Sequence, residues 1–386
     1  MKIGIFGGSF NPPHVGHIDN ATAALRQLGL DLLLVIPSGV PPHKALPPNS
    51  PTAQERLKMT QIAFRDVPRC EVLDIELRRA GESYTVDTLR ELGETYRDAE
   101  FYLIVGTDMY LTLTQWHKAD ELLRLATPAV GLRELGMEPQ TAAEAERLAA
   151  LGIRTEIMEN DTIEISSSEL REQLAERIWS RQLDYSVYSF IIERGLYDAR
   201  PNLDWLRFEA YKLLDDRRIR HVAGCESEAV CLARHWGADE TDAREGAILH
   251  DITKRLNGDE QLALCHRFGI ETDEFMRSTP KILHGHTGAE LAAERFNISD
   301  AVKSAIKWHT TGHADMTLLE KIVYLADYME PNRAFDGVAT LRELAYRDID
   351  AAVILGLQMT FDDLTARGLE FDKNAVEAMN SLTKKD

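Results

Sequence analysis

Short apolar runs and amphipathic stretches alternate through residues 1–198. KIGIF, DLLLVIP, CEVLDI, FYLIVG, PAVGL and RTEIM are nearly continuous in apolar character, the pattern of strands buried on both faces. Between them, IDNATAALRQLG, AQERLKMTQIAF and TVDTLRELGETY repeat apolar positions at helical spacing. This alternation predicts a doubly wound α/β domain, with a parallel sheet, helices on both faces and ligands at the carboxyl ends of the strands near a topological switch point. GLYDARPNLDW, carrying Gly195, Pro201 and Asn202, reads as a linker. Beyond it the period changes. ESEAVCLARHWG, TDAREGAILHDITKRL, GAELAAERF, DAVKSAIKWH and TLLEKIVYLADYM are apolar at i, i+3, i+4 and i+7, and few strand candidates remain. Residues 1–200 are therefore expected to form the α/β domain and 201–386 an all-α domain.

A chain of 386 residues is too long for one ordinary core, which agrees with two domains. The net charge of −19 divides almost evenly, −9 in residues 1–200 and −10 in 201–386. Neither half has the basic footprint of a nucleic-acid binder, although a few positive groups or metals in a pocket still allow anionic small substrates. No run approaches the roughly 20 apolar residues of a membrane span, and MKIGIFGGSF is a strand pattern rather than a signal peptide. Four cysteines without a CxxC pair suggest reduced thiols in a cytoplasmic protein. Whether copies assemble into a homo-oligomer is open at this stage.

The first strand runs into Gly7-Gly8-Ser9-Phe10-Asn11-Pro12-Pro13-His14-Val15-Gly16-His17. Two glycines let the backbone approach a ligand, and the helix that follows offers free N–H groups to phosphate. His14 and His17, three apart, can face one ligand and donate to the oxygens of a pentavalent phosphorus and of a departing pyrophosphate. Near residue 165 a strand ending Ile163-Glu164-Ile165 gives way to Ser166-Ser167-Ser168-Glu169-Leu170-Arg171, where Ser166 and Glu169 have capping-box spacing. The two pieces resemble the HxGH and ISSxxxR elements of the nucleotidylyltransferase superfamily, whose fold is Rossmann-like.

Residues 1–198 as a whole resemble bacterial nicotinate-mononucleotide adenylyltransferases, through GGSFNPPHVGH, PSGVPPHK, SYTVDTL, FYLIVGTDMYLTLTQWH, ISSSELR and SVYSFIIERGLYD. The resemblance implies transfer of AMP from ATP to nicotinate mononucleotide, with Mg²⁺ bridging phosphates. It puts Gly7, Gly8, Ser9, Phe10, Lys44, Ser167, Ser168 and Arg171 around the phosphates, and Gly106 and Asp108 near the adenosine. Tyr84 and Trp116 would flank the nicotinate ring, and the backbone of Thr85 and His117 would meet its carboxylate.

Eight of the 12 histidines lie after residue 200. His221, His250-Asp251, His284, His309 and Asp327 fall in or beside apolar helical patterns, where polar groups are costly to bury unless ligated. Histidines and carboxylates drawn from several elements are what a divalent metal centre requires. The order H…HD…H…H…D resembles the HD domain, and the stretches around it resemble the YqeK-type symmetric diadenosine tetraphosphatases. That resemblance implies one metal on His221, His250, Asp251 and Asp327. Asp251 would bridge to a second on His284 and His309, with iron as the family expectation and Lys254 and Arg333 as phosphate contacts. Other readings of the helical half are a non-hydrolytic nucleotide sensor and an oligomerisation module.

Overall fold

In the computed structural model the chain divides into two compact units, Met1–Ala199 and Arg200–Asp386. Residues 1–40, 46–132, 137–159 and 166–384 are described. The first unit is built on six strands: β1 (Lys2–Gly8), β2 (Leu32–Pro37), β3 (Cys70–Val72), β4 (Glu100–Gly106), β5 (Ala126–Gly131) and β6 (Glu156–Met158). They pair in parallel in the order β3-β2-β1-β4-β5-β6. The chain runs outward from β1 to β3 and then returns to the other side of β1, so the switch point lies between β1 and β4.

Side chains alternate across this sheet. Ile3, Ile5, Leu34, Ile36, Leu103 and Val105 pack with Val86, Leu89 and Leu92 of the Thr85–Thr95 helix. Phe6, Leu33, Val35, Tyr102 and Ile104 pack with Ala21, Ala24 and Leu25 of the Val15–Gln27 helix. Burial on both faces is why the strand segments read as continuous apolar runs; each large side chain so buried stabilises by roughly 1.5–3 kcal/mol. Thr52 and Glu55 cap the Ala53–Phe64 helix reciprocally: the Thr52 N–H donates to Glu55 Oε2 at 2.8 Å, and the Glu55 N–H to Thr52 Oγ1 at 3.2 Å.

The segment that reads as a linker is tied down. Gly195, Tyr197 and Asp198 take positive φ, and the turn they form buries Tyr197, whose phenol donates to Asn11 Oδ1 at 2.8 Å. Turn-forming residues signal the bend, but nothing in the local sequence announces its anchor 186 residues away.

The second unit contains helices and no strand among the described residues. Ile322, Leu325, Ala326 and Met329 of the Leu318–Met329 helix pack with Cys225, Ala229, Leu232 and Ala233 of the Asp216–Trp236 helix. One expectation changes here. AILHDITKRL is not one continuous helix: Glu240–Leu249 ends there, with His250 as its C-cap and Asp251 in the following turn. The pair thus sits where a helix leaves its last carbonyls unbonded, free to accept from a side chain. Among the described residues no helix is long and apolar enough to cross a membrane, and Cys70, Cys225, Cys231 and Cys265 are free thiols.

Candidate active sites

The first candidate site lies at the carboxyl end of β1. Gly7 is exposed, and a Cβ there would meet nothing within 4 Å, so the strand end presents bare backbone. Phe10 turns back with φ 45° and is buried against Phe6 and Phe64. His14 is the N-cap of the Val15–Gln27 helix, and its N–H donates to His17 Nδ1 at 3.1 Å. The two imidazoles lie 3.8 Å apart between ring centroids, and both are buried.

The second motif docks on this loop. Ser166 caps the Ser167–Ala175 helix by accepting from the Glu169 N–H at 3.1 Å. Ser167 Oγ donates to the Pro12 carbonyl at 3.0 Å. Arg171 reaches the Asn11 carbonyl at 2.7 Å through Nη1 and Ser168 Oγ at 2.9 Å through Nη2. Segments about 155 residues apart therefore meet, bringing a cation, two hydroxyls and two imidazoles to one strand end. Lys44 and the strand expected at Ile163–Ile165 lie outside the described residues.

Gly106 ends β4 across the switch point and caps the short Thr107–Leu111 helix, which carries the exposed Asp108 in its first turn. Tyr84 is the N-cap of the Thr85–Thr95 helix, so Thr85 opens a helix whose first N–H groups are free to meet an anion. The Tyr84 and His117 rings lie 4.2 Å apart, tilted by 31°. Trp116 is half-buried against the sheet core. The exposed His117 is followed by Lys118 in the left-handed region, φ 53°, which starts the next helix.

In the second unit five elements converge. His221 comes from the Asp216–Trp236 helix, and His250-Asp251 from the end of Glu240–Leu249. His284 comes from Leu283–Phe296, His309 from the C-cap of Asp300–Trp308, and Asp327 from Leu318–Met329. Each imidazole has Nδ1 against an oxygen: Glu330 Oε1 at 3.3 Å from His221, and the carbonyls of Ala247, Lys281 and Ile306 at 2.7, 2.6 and 2.7 Å from His250, His284 and His309. An Nδ1–H donating outward leaves the Nε2 lone pair facing in, the tautomer a metal ligand needs.

Asp251 lies between the imidazoles. Its Oδ2 is 3.8 and 3.5 Å from Nε2 of His221 and His250, while its Oδ1 is 3.3 and 3.7 Å from Nε2 of His284 and His309. Asp327 Oδ1 is 2.9 Å from His221 Nε2 and 3.9 Å from His250 Nε2. His250 Nε2 and Asp251 Oδ1 are buried with no hydrogen-bond partner among the described residues. Orphaned polar atoms in such a place are costly unless a cation takes their lone pairs. The donor set fits a pair of cations sharing the Asp251 carboxylate.

The electrostatics fit as well. Without a cation, burial alone would raise the Asp251 and Asp327 carboxyls, but N–H groups of His250, His284 and His309 turned towards Asp251, and of His221 and His250 towards Asp327, hold both far below the usual range, and a cation would take the place of those protons. Burial pushes His284 down to about 4 and also lowers the Lys254 ammonium. Lys254 Nζ lies 2.8 Å from His284 Nε2, and Arg333 Nη2 donates to Asp327 Oδ1 at 2.9 Å.

Several residues of these sites escape a sequence reading. Arg56 is 1% exposed; it donates to the carbonyls of Ser9 at 2.8 Å, Ser38 at 2.8 Å and Gly39 at 3.0 Å, tying the β1 and β2 ends together. Burial lowers its guanidinium. In the pattern AQERLKMTQIAF it reads as a surface arginine. Arg218 Nη1 donates to Asp251 Oδ2 at 2.6 Å; its position one turn before His221 was the available signal. Glu330, behind His221, sits past the end of its helix, where periodicity says nothing.

Comparison with known proteins gives two family matches: the cytidylyltransferase-like model over residues 5–173 and the HD domain model over 218–332. A protein of Oceanobacillus iheyensis named probable nicotinate-nucleotide adenylyltransferase is 38% identical over 202 residues, 52% of this chain and 99% of that protein. A Synechococcus protein of the same name is 42% identical over 175 residues, 45% of this chain and 83% of its own. Among solved structures, a Clostridium acetobutylicum protein described as a predicted HD superfamily hydrolase involved in NAD metabolism is 33% identical. It covers 49% of this chain and 100% of its own, with a TM-score of 0.48.

Proposed function

This chain belongs to the nicotinate-nucleotide adenylyltransferase family and also carries an HD domain, and we propose that it is a bifunctional enzyme. The first unit transfers AMP from ATP to nicotinate mononucleotide. The second hydrolyses diadenosine tetraphosphate symmetrically to two ADP. The observation that carries the first activity is the docking of Ser167 and Arg171 on the carbonyls of Pro12 and Asn11, which supports a single phosphate cradle built from both motifs.

In that cradle an oxygen of the mononucleotide 5′-phosphate attacks the α-phosphorus of ATP in line. A new P–O bond forms, the α–β bridging bond breaks, and pyrophosphate leaves. His14 and His17 donate to the charge that develops, and Ser167, Ser168 and Arg171 hold the β- and γ-phosphates against the Gly7–Phe10 backbone. Lys44 adds a phosphate contact. Gly106 and Asp108 receive the adenosine, Tyr84 and Trp116 the nicotinate ring, and the N–H groups of Thr85 and His117 its carboxylate. Mg²⁺ bound to the phosphates supplies further charge neutralisation.

Asp251 carries the second activity, because one of its oxygens faces His221 and His250 and the other faces His284 and His309. Two transition-metal ions, iron by family expectation, would supply an acidified water when bound. The protein's own part is to hold them on His221, His250, Asp251, Asp327, His284 and His309, and to clamp phosphate oxygens with Lys254, Arg333 and Arg218.

The full chain with ATP and nicotinate mononucleotide should give nicotinate adenine dinucleotide and pyrophosphate, and with diadenosine tetraphosphate it should give ADP alone. After chelation, Mg²⁺ should restore the first reaction, whereas the second should need a transition metal. Absence of the dinucleotide would overturn the first assignment; ATP plus AMP from the tetraphosphate, or no cleavage, would overturn the second.

A further inference from the structure

We propose that Tyr197 is a positioning residue for adenylyl transfer: its phenol sets the Asn11 carboxamide and, through it, the backbone on which Arg171 docks. The inference rests on the phosphate-cradle reading of the first unit. Asn11 is a buried hub of that cradle. Its Oδ1 accepts from the Tyr197 hydroxyl at 2.8 Å, its Nδ2 donates to Ser50 Oγ at 2.9 Å, and its carbonyl accepts from Arg171 Nη1 at 2.7 Å. The next carbonyl, of Pro12, accepts from Ser167 Oγ at 3.0 Å. One residue thus joins the closing turn of the unit to both phosphate motifs, and the Leu196–Asp198 turn itself packs on the Ser167–Ala175 helix.

Two further observations favour a role beyond filling space. Tyr197 has φ 60° and ψ 22°, and Asp198 has φ 55°. Residues other than glycine rarely adopt this left-handed conformation, which persists where the surroundings over-determine it and clusters at functional sites. The phenol also lies within the fields of Arg171 and Arg56, the two guanidiniums that hold the carbonyls of Asn11 and Ser9. Burial outweighs both and pushes the phenol far up, so it stays a donor at every working pH. With Oδ1 taken as acceptor, Nδ2 must face Ser50, and the carboxamide has one orientation. A fixed carboxamide keeps the loop ordered before ATP arrives, which leaves less ordering for the nucleotide to supply on binding.

The test compares the full chain with Tyr197→Phe, Ser50→Ala and Asp198→Asn. The first two each free one end of the Asn11 carboxamide. Asp198→Asn weakens a neighbouring tie of the same turn, the 3.3 Å hydrogen bond from Asn49 Nδ2 to Asp198 Oδ2, and keeps a residue type that accepts the left-handed backbone. Calorimetric titration with the non-reacting α,β-methylene analogue of ATP reads the cradle, and its stoichiometry reports the folded fraction. Tyr197→Phe should bind the analogue about ten-fold more weakly at unchanged stoichiometry, within the range for a buried acceptor left unpaired. Its kcat/KM for ATP should fall by a similar factor, while KM for nicotinate mononucleotide stays within about two-fold of wild type. Ser50→Ala should shift binding in the same direction, and it decides the matter if Tyr197→Phe fails to fold. Asp198→Asn should bind like wild type even if it melts earlier. Unchanged analogue affinity in Tyr197→Phe, or an equal loss in Asp198→Asn, would reduce Tyr197 to a structural tie and leave the cradle standing. If wild type neither bound the analogue nor made the dinucleotide, the adenylyltransferase reading would fall and this inference with it.

Discussion

At the scale of single residues, the consequential feature of the first unit is burial of polar groups around a strand end. His17 is buried in stacking range of His14 and Phe10 and accepts the His14 N–H. An interaction made to charge that exists only in the transition state appears in kcat rather than KM. His17→Ala should lower kcat of adenylyl transfer by roughly 10²–10³-fold, the usual loss for one preorganised donor, with KM for nicotinate mononucleotide changed several-fold at most. Steady-state kinetics would reduce His17 to scaffolding if kcat were preserved. A second residue ties stability to pH. Burial pushes the Glu76 carboxyl up to about 7 from 4.5, although the Thr88 hydroxyl and Arg79 oppose the rise. The folded state keeps this proton longer than the unfolded chain, so the contribution is complete below pH 4.5 and is lost as pH rises through about 7. Glu76→Gln retains an acceptor for Thr88, which lies 3.0 Å away. It should leave stability unchanged at pH 4 and raise it by about 1–3 kcal/mol at pH 8. Melting temperatures of both proteins across that range would show the divergence; parallel curves would mean the buried carboxylate carries no penalty.

At the scale of elements, close approaches decide where side chains point. Gly224 lies on the Asp216–Trp236 helix, and a Cβ there would come within 2.3 Å of Glu330 Oε2 and 3.0 Å of Asn332 Nδ2. Glu330 is the acceptor that orients His221. Alanine in a helix interior gains about 0.5–1 kcal/mol over glycine, while overpacking costs about 1–3 kcal/mol. The net effect of Gly224→Ala on melting should therefore be small. Its effect on the metal should be large, about 10–100-fold weaker retention, because His221 loses its orienting partner. Metal analysis after graded chelation measures this, and unchanged retention would separate Glu330 from the site. The elements themselves were legible. All six apolar segments became strands, and the helical segment 53–64 became Ala53–Phe64, since a doubly buried sheet writes its core into continuous runs. What stayed illegible lies off the periodic elements. The break after Leu249, the turn that anchors Tyr197, and the carbonyls held by Arg56 are set by partners far away in sequence, which no local pattern encodes.

At the scale of the molecule, each unit holds one candidate site. The residues of the first fall within Met1–Ala199 and those of the second within Arg200–Asp386. The motifs were readable because each concentrates its chemistry in short segments. The ligand set of the second site was readable only as an order of histidines and aspartates, since its geometry depends on five elements folding together. This separation can be tested with one substitution. Asp251 faces four imidazoles, with distances of 3.3–3.8 Å shared between its two oxygens. In the proposed centre, replacing it with alanine would take a ligand from both cations at once; it also leaves Arg218 and Lys254 facing the histidines with no carboxylate between them. Asp251→Ala should therefore abolish tetraphosphate hydrolysis, by 10³-fold or more if the water is no longer acidified (on the order of the effects that metal activation produces), and should lower bound transition metal. The proposed adenylyl-transfer site is built from residues of the first unit, so its kcat/KM should stay within about two-fold of wild type, inside the ordinary scatter for a distant substitution. Both activities and the metal content are measured on one preparation, which makes misfolding visible as a joint loss. Hydrolysis that persists with metal bound would remove Asp251 from the centre. Loss of adenylyl transfer together with hydrolysis, in a variant whose melting matches wild type, would show instead that the two sites are coupled.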